Sequence, residues 1–182
     1  MLTELQTKKL ARYFQVYDVD DDGRIGPGDF ERVLENIRIL HGLDEGSADH
    51  EALRRSFIRR WEALRASADI DDDGGVDLPE WLRYWAAAIS EEDEYEEVVT
   101  ALVSRLFEAF DTDEDGRLGP DEYCNFFAVY GLSADLARSM FARLDVNGDG
   151  TISHDELVEH AHAFYRGDDP TAAGNLLFGP YD

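Results

Sequence analysis

The chain has 182 residues and a formal net charge of −24, set by 41 Asp and Glu against 17 Lys and Arg. This charge argues against nucleic acids and anionic membrane surfaces as partners, because both would repel the protein. Hydrophobic residues make up 43% of the chain and 21 residues are aromatic, enough to fill one sizeable domain or two small ones. The composition predicts a folded protein that attracts cations.

An acidic motif of twelve residues occurs four times along the chain. The copies are DVDDDGRIGPGD at 18–29, DIDDDGGVDLPE at 69–80, DTDEDGRLGPDE at 111–122 and DVNGDGTISHDE at 145–156. These 48 residues hold 21 of the 41 acidic residues. A solvated surface would spread its acids more evenly, so the repeats indicate local sites for cations.

Segments with helical periodicity flank the repeats. Apolar side chains recur every three or four residues before repeats one, three and four: Leu10, Tyr13, Phe14 and Tyr17; Val103, Leu106, Phe107 and Phe110; Met140, Phe141 and Leu144. Helices are predicted to leave the repeats, with Pro27, Pro79 and Pro120 in their first turns, and to run through 30–39, 81–89, 123–130 and 157–164. Another helix is predicted at 48–68, after a break at 42–47.

These elements predict an all-α fold of four helix–loop–helix units, arranged as two pairs in one globule. The predicted pairs occupy 1–90 and 91–165, joined near Ser90, a candidate N-cap, and residues 91–93. The Gly- and Pro-rich tail at 166–182 is predicted to be an irregular strap that packs on the domain. Position 8 of every repeat is aliphatic, which predicts short β contacts between loops one and two and between loops three and four.

The spacing of oxygen donors in each repeat matches the needs of calcium. This cation takes six to eight oxygens, which a twelve-residue loop supplies from positions 1, 3, 5, 7, 9 and 12, with position 7 giving its carbonyl. Position 6 turns sharply and is Gly in every repeat. The predicted ligands are Asp18, Asp20, Asp22, Arg24 and Asp29; Asp69, Asp71, Asp73, Gly75, Asp77 and Glu80; Asp111, Asp113, Asp115, Arg117 and Glu122; Asp145, Asn147, Asp149, Thr151 and Glu156. We expect up to four calcium ions.

Loop one differs from the others at its twelfth position. Asp29 is one methylene shorter than the Glu of the other three loops, so bidentate coordination is harder to reach. We hypothesise that loop one binds Ca²⁺ more weakly or admits Mg²⁺. In the alternative that one loop binds no metal, loop one is the first candidate. Loop two is the second, because Arg65 and Ala68 thin the apolar face of its entering helix.

The four repeats, the long first interval and the ending GNLLFGP at 174–180 resemble the sarcoplasmic calcium-binding protein group of the EF-hand family, including its bacterial, calerythrin-type members. The resemblance covers the chain from about Leu10 to Pro180. It implies a globule of two EF-hand pairs that acts as a calcium buffer or transporter. Some members of the group have lost ligands in one or more loops, whereas this chain keeps side-chain ligands in all four.

The residue types favour a calcium buffer over a calcium sensor. A sensor opens a Met-rich groove for a target protein, but this chain has only Met1 and Met140, and its apolar residues are bulky and aromatic. A sensor with a protein target is kept as the alternative function. A third interpretation, a ligand cavity like that of calcium-triggered photoproteins, has less support, because no His adjoins Tyr84 and Trp85 in sequence.

Catalysis and other metals find little support. Cys124 lies near Phe126 and Phe127 and is predicted to be a core residue rather than a nucleophile, so we predict no enzyme. His160 and His162 point apart on a helix, which argues against a shared zinc ion. One cysteine allows no internal disulfide, and the first residues do not resemble a secretion signal. We expect a cytoplasmic monomer that partners calcium ions.

Overall fold

The computed structural model of the chain describes residues 1–90, 95 and 99–181, without the side chains of residues 102, 105, 106, 108 and 109. The predicted joint at 91–93 and the side chain of Leu106 fall outside the described residues. The role of Ser90 as the N-cap of a following helix depends on the same segment and stays a prediction.

Helices flank all four acidic repeats. They are α1 Glu4–Tyr17, α2 Pro27–Leu40, α3 Ala48–Ala68, α4 Leu78–Ala88, α5 Ala101–Phe110, α6 Pro120–Val129, α7 Ala134–Leu144 and α8 His154–Tyr165. Two-residue strands lie inside the repeats: β1 Arg24–Ile25, β2 Val76–Asp77, β3 Arg117–Leu118 and β4 Ile152–Ser153. The predicted all-α fold of four helix–loop–helix units is confirmed. None of the helices described combines the length and the apolar character that crossing a membrane requires.

The strands pair the loops two by two. β1 runs antiparallel to β2, with Ile25 opposite Val76, and β3 runs antiparallel to β4, with Leu118 opposite Ile152. These four aliphatic side chains, at position 8 of their loops, are all buried. The predicted contacts between loops one and two and between loops three and four are confirmed.

The exit helices begin inside the acidic repeats, as the prolines predict. The first turns of α2, α4 and α6 contain Pro27, Pro79 and Pro120, whose fixed φ suits that position. As a result the last residue of each acidic repeat already belongs to the helix, at its third position. A carboxylate there is favourable because it faces the unpaired amides of the helix N-terminus.

One aromatic cluster joins the beginning, the middle and the end of the chain. Tyr13 of α1 lies 5.1 Å from Trp81 and 5.7 Å from Trp85 of α4, measured between ring centroids. The same ring lies 6.1 Å from both Phe164 and Tyr165 of α8. Because α4 leaves loop two and α8 leaves loop four, the two pairs of units share one core.

The C-terminal tail closes over this cluster. Phe178 stacks on Tyr13 with ring centroids 3.8 Å apart, and both Leu177 and Phe178 are buried. A short 3-10 turn at Ala173–Leu176 brings the tail back against the end of α8. The tail therefore lies on the domain and adds aromatic surface to its core.

A buried amine ties α1 to α8 and the tail. Lys9 Nζ donates to the carbonyl oxygens of Ala163 and Gly167, each at 2.8 Å, and to Asn175 Oδ1 at 3.0 Å. Burial lowers the pKa of Lys9 from 10.5 to about 8, although the charge of Asp168 acts in the opposite direction. The ammonium is thus fully hydrogen bonded but removed from water, which costs free energy unless it loses its proton.

We predict that the free energy of unfolding depends on pH through Lys9. The unfolded chain keeps the ordinary pKa of 10.5, so between pH 8 and 10.5 it binds more protons than the folded protein. Stability gained through this group therefore rises with pH across that window and is lost as the pH falls through 8. A Lys9→Met variant lacks this dependence. Urea unfolding at about pH 7 and about pH 9.5 should show the stability difference between native chain and variant growing in favour of the native chain. A difference that stays constant would contradict the assignment.

Candidate metal centres

The first carboxylate of each loop organises the loop backbone. In loop three, Asp111 Oδ2 accepts the Gly116 amide at 2.9 Å and Oδ1 accepts the Asp115 amide at 3.0 Å. Loops one, two and four contain the same pair of hydrogen bonds from positions 6 and 5. Each loop is therefore folded around a side chain that is a predicted ligand.

Two positions in each loop adopt the left-handed backbone conformation. The position-6 glycines Gly23, Gly74, Gly116 and Gly150 have φ of 85°, 90°, 78° and 87°. The position-4 residues Asp21, Asp72, Glu114 and Gly148 have φ of 58°, 55°, 58° and 71°. Only glycine adopts this conformation freely, so loops one to three hold an acidic residue in a costly conformation. Sequence reasoning identified position 6 but missed position 4, where Gly148 was the available signal.

The carboxylate at position 12 closes the loop at two points. In loop three, Glu122 Oε2 accepts the Gly119 amide at 2.8 Å and Oε1 accepts the Thr112 amide at 2.7 Å. Burial alone would raise the pKa of Glu122, but these hydrogen bonds outweigh it and lower the pKa below its ordinary value. Glu80 makes the corresponding contacts in loop two, to Asp77 and Ile70.

Asp29 reaches the same two points despite its shorter side chain. Its Oδ2 accepts the Gly26 amide at 2.7 Å and its Oδ1 accepts the Val19 amide at 2.8 Å. The side chain is deeply buried, and this burial raises the pKa of Asp29 in spite of the hydrogen bonds. Loop one thus closes with hydrogen bonds as short as those of loop three, around a carboxylate that is more strongly shielded from water than Glu122 is.

Three carboxylate oxygens come within 4.8 Å of one another in each of loops one, two and three. The contributing residues are Asp18, Asp20 and Asp22; Asp69, Asp71 and Asp73; and Asp111, Asp113 and Glu122. Two oxygens on one calcium ion are at most about 5 Å apart, twice the usual bond length of 2.3–2.6 Å. The donor sets of these loops therefore fit calcium.

Loop four offers the same oxygen chemistry with an amide in place of the carboxylate at position 3. Asn147 stands where the other loops have Asp, between Asp145 and Asp149. Its Oδ1 accepts the Asp149 amide at 2.8 Å, and its Nδ2 donates to Glu156 Oε1 at 2.6 Å. Glu156 Oε2 accepts the Ser153 amide at 3.0 Å, so this loop is closed at position 12 like the others.

The backbone carbonyls that are predicted to bind calcium belong to the residues at position 7, which begin the strands or directly precede them. In each loop the amide of this residue donates to the position-5 carboxylate: Arg24 to Asp22, Gly75 to Asp73, Arg117 to Asp115 and Thr151 to Asp149, at 2.8–3.1 Å. At position 9 of loop two, Asp77 is the N-cap of α4 and accepts the Glu80 amide at 2.9 Å. The ligand roles of these residues stay predictions.

The arginines at position 7 also reach the neighbouring loop, a contact that sequence reasoning missed. Arg24 forms an ion pair with Asp73, and this contact lowers the pKa of Asp73. Arg117 Nη1 lies 3.0 Å from Asp149 Oδ2 and 2.8 Å from Thr151 Oγ1. Hydrogen bonds from Thr151 and then from Arg117 lower the pKa of Asp149. One guanidinium therefore sits against a predicted ligand of the partner loop in each pair.

A large cavity lies beside the first pair of units. Its volume is about 810 Å³, and its aromatic lining includes Tyr13, Tyr17, Phe30, Trp81, Trp85 and Tyr130. The indole N–H of Trp81 donates to the Leu10 carbonyl at 3.0 Å. The buried indole nitrogen of Trp85, in contrast, has no hydrogen-bond partner in the described part of the chain. The cavity thus has largely aromatic walls, whereas the Trp85 nitrogen is closed off inside the core.

The thiol of Cys124 and the rings of His160 and His162 are packed or hydrogen bonded within the fold. Cys124 is buried, and burial raises the pKa of its thiol, which disfavours a nucleophilic thiolate. His160 Nε2 lies 2.7 Å from the Leu144 carbonyl, whereas His162 Nδ1 lies 2.7 Å from the Tyr95 hydroxyl. The two histidines are therefore engaged with different partners.

Family models of the EF hand match most of the chain. A model described as an EF-hand domain pair matches residues 7–86, a second one matches 100–130, and a model of the single EF hand matches 137–159. These segments contain all four acidic loops. The matches agree with the oxygen clusters, and calcium is accordingly the ion that the chain binds.

Proteins that resemble the chain over nearly its whole length indicate which type of EF-hand protein it is. Calerythrin of Saccharopolyspora erythraea is 27% identical over 92% of this chain and 96% of its own length. Sarcoplasmic calcium-binding proteins II, V, VI and VII of Branchiostoma lanceolatum are 25% identical over 98% of both chains. The calcium-loaded apo form of the coelenterazine-binding protein from Renilla muelleri superposes with a TM-score of 0.73 at 26% identity, over 98% of this chain and 99% of the other. The chain is thus a calcium-binding protein, not an enzyme, and it belongs to the EF-hand family, in its sarcoplasmic calcium-binding protein and calerythrin type.

Proposed function

We propose that the chain is an intracellular calcium buffer. The observation that carries this proposal is the contact of the two EF-hand pairs through Tyr13, Trp85, Phe164 and Tyr165. A sensor presents such apolar faces to a target helix when calcium binds, whereas here they are buried against each other. The lone buried thiol of Cys124 supports a reducing, cytoplasmic setting.

Buffering in this fold is electrostatic. Loops one to three each hold three carboxylates within a few ångströms when metal-free, and their mutual repulsion destabilises the folded state. Calcium removes that repulsion, so its binding free energy adds to the free energy of unfolding. At a calcium concentration one hundred times the dissociation constant, one site contributes about 2.7 kcal/mol. We propose up to four such sites in a monomeric protein.

We predict that calcium closes the metal-free protein rather than opening it. The metal-free chain is titrated with calcium in about millimolar magnesium while the fluorescence of the hydrophobic dye ANS is followed. The dye signal should fall, and the melting temperature should rise as each site adds about 2.7 kcal/mol of stability. A dye signal that rises at saturation would contradict the buffer proposal and favour a sensor that binds a target protein.

We propose further that loop one distinguishes calcium from magnesium less well than the other loops do. The shorter, deeply buried Asp29 suits a small octahedral ion better than Glu does. An Asp29→Glu variant should therefore raise the ratio of calcium to magnesium affinity in loop one. The reciprocal Glu122→Asp variant should lower that ratio in loop three.

The ratio is measured by calcium titrations with and without magnesium, followed by NMR of the Gly23 and Gly116 amides. Each of these amides donates to the first carboxylate of its own loop and so reports that loop alone. A ratio in loop one that does not change in the Asp29→Glu variant would contradict this proposal, while leaving calcium binding itself unaffected.

A second candidate function is the binding of a flat aromatic small molecule. The cavity of about 810 Å³ is large enough for a drug-sized ligand, and aromatic side chains dominate its walls. The likeness to a coelenterazine-binding protein adds support of the same kind.

We predict saturable 1:1 binding of coelenterazine, used as the probe, in isothermal titration calorimetry. An Ala52→Trp substitution puts a large ring into the cavity lining and should weaken binding by about tenfold or more. Ala66→Trp is the matched control, because Ala66 is exposed on the same helix but does not line the cavity. Equal binding by the two variants, or no saturable binding by the native chain, would exclude this candidate.

A further inference from the structure

The helix that enters loop two carries an arginine where the other entering helices carry phenylalanine. The residues four positions before the loops are Phe14, Arg65, Phe107 and Phe141. The three phenylalanines belong to the buried core. The side chain of Arg65 is 44% exposed and turns toward the loop that follows it. At this position loop two thus has a cation beside it, whereas the other three loops have a buried phenylalanine.

Arg65 contacts two carboxylates of loop two. Its Nε lies 3.1 Å from Asp69 Oδ2, and its Nη2 lies 2.8 Å from Asp72 Oδ1. Asp69 is the predicted position-1 ligand, and its side chain is only 1% exposed. The same Oδ2 accepts the Gly74 amide at 3.1 Å. The guanidinium therefore competes directly for the oxygen around which the loop is folded.

Arg24 reaches loop two from its other side. It forms the ion pair with Asp73, the predicted position-5 ligand, and its guanidinium lies over Gly75. A Cβ at Gly75 would come within 2.9 Å of Arg24 Nε, so the glycine leaves the space that the arginine fills. Two of the three clustered carboxylates of loop two are thus already paired with cations of the chain itself.

Loop three is different in this respect. Its clustered ligands are Asp111, Asp113 and Glu122, and within the described side chains no Lys or Arg forms an ion pair with them. Its own Arg117 is directed to Asp149 of loop four. A calcium ion approaching loop three thus meets carboxylates without a competing cation, among the residues described.

We propose that Arg65, together with Arg24, sets the calcium affinity of loop two below that of loop three. Each guanidinium stabilises the metal-free loop by offsetting carboxylate repulsion, and each repels the incoming divalent cation. Both effects weaken calcium binding at loop two. The inference rests on the proposed calcium sites and adds an order of filling, in which loop three responds at lower calcium than loop two.

The test follows each loop separately. The metal-free, ¹⁵N-labelled chain is titrated with calcium while the amide signals of Gly74 and Gly116 are recorded, since these amides donate to Asp69 and Asp111 respectively. In the native chain the Gly116 signal should complete its change at lower calcium than the Gly74 signal. This result would place loop three ahead of loop two.

Charge-removing variants then test the arginines. Arg65→Gln should lower the calcium midpoint of the Gly74 signal by about three- to tenfold, the range expected for losing an exposed ion pair and a nearby repulsive charge. Arg24→Gln should act in the same direction. Neither variant should move the Gly116 midpoint. Arg59→Gln is the matched control, because Arg59 is exposed on α3 and makes no ion pair in the described part of the chain.

Three results would overturn the proposal. In the first, Gly74 responds together with or before Gly116 in the native chain. In the second, Arg65→Gln and Arg24→Gln shift the Gly74 midpoint no more than Arg59→Gln does. In the third, Arg65→Gln weakens loop two, which would mean that the arginine positions its ligand. Failure of both glycine signals to respond at all would instead remove the calcium sites themselves, a distinguishable outcome.

Discussion

Repulsion between like charges held a few ångströms apart is the constraint that shapes this protein. In each of loops one to three, the folded chain holds three carboxylate oxygens within 4.8 Å of one another. Backbone amides make this arrangement possible, because each first carboxylate accepts two of them, as Asp111 does from Asp115 and Gly116. Hydrogen bonds of this kind stabilise the ionised form and hold the oxygens in place before a cation arrives.

The aromatic core supplies the stability that the loops lack. Tyr13 is at its centre, with Trp81 and Trp85 of the first pair on one side and Phe164 of the second pair on another. Burial of such large side chains contributes roughly 1.5–3 kcal/mol each, which offsets the strain and repulsion in the loops. The tail contributes through Phe178, so the end of the chain also takes part in stabilising the first units.

The sequence predicted the fold and the loop pairing because both depend on short, regular patterns. The aliphatic residue at position 8 predicted the contact of Ile25 with Val76, and it is confirmed. The roles of Arg24 and Lys9 could not be predicted in this way. Each role depends on partners between 49 and 166 residues away, Asp73 for one and Asn175 for the other, and no local period encodes such contacts.

Local patterns also failed to predict the contacts of Arg65. Arg65 breaks the apolar face of its helix, so sequence reasoning treated it only as a weak point. In the structure it is an ion-pair partner of Asp69 and Asp72. Whether a residue at this position packs into the core or pairs with the loop depends on which way its side chain turns at the edge of the core. A phenylalanine at that position turns inward because burial is favourable, whereas a guanidinium turns toward the nearest carboxylates.

Pairing of the loops makes contact between neighbouring sites unavoidable. The two-residue strands place Arg24 opposite Asp77 and Arg117 opposite Ser153. A long side chain at position 7 therefore extends over the partner loop, while its backbone amide donates within its own loop. Arg24 thus belongs to loop one through its backbone and to loop two through its ion pair with Asp73. The sites of a pair share residues, and the charge balance of one loop is set partly by the sequence of the other.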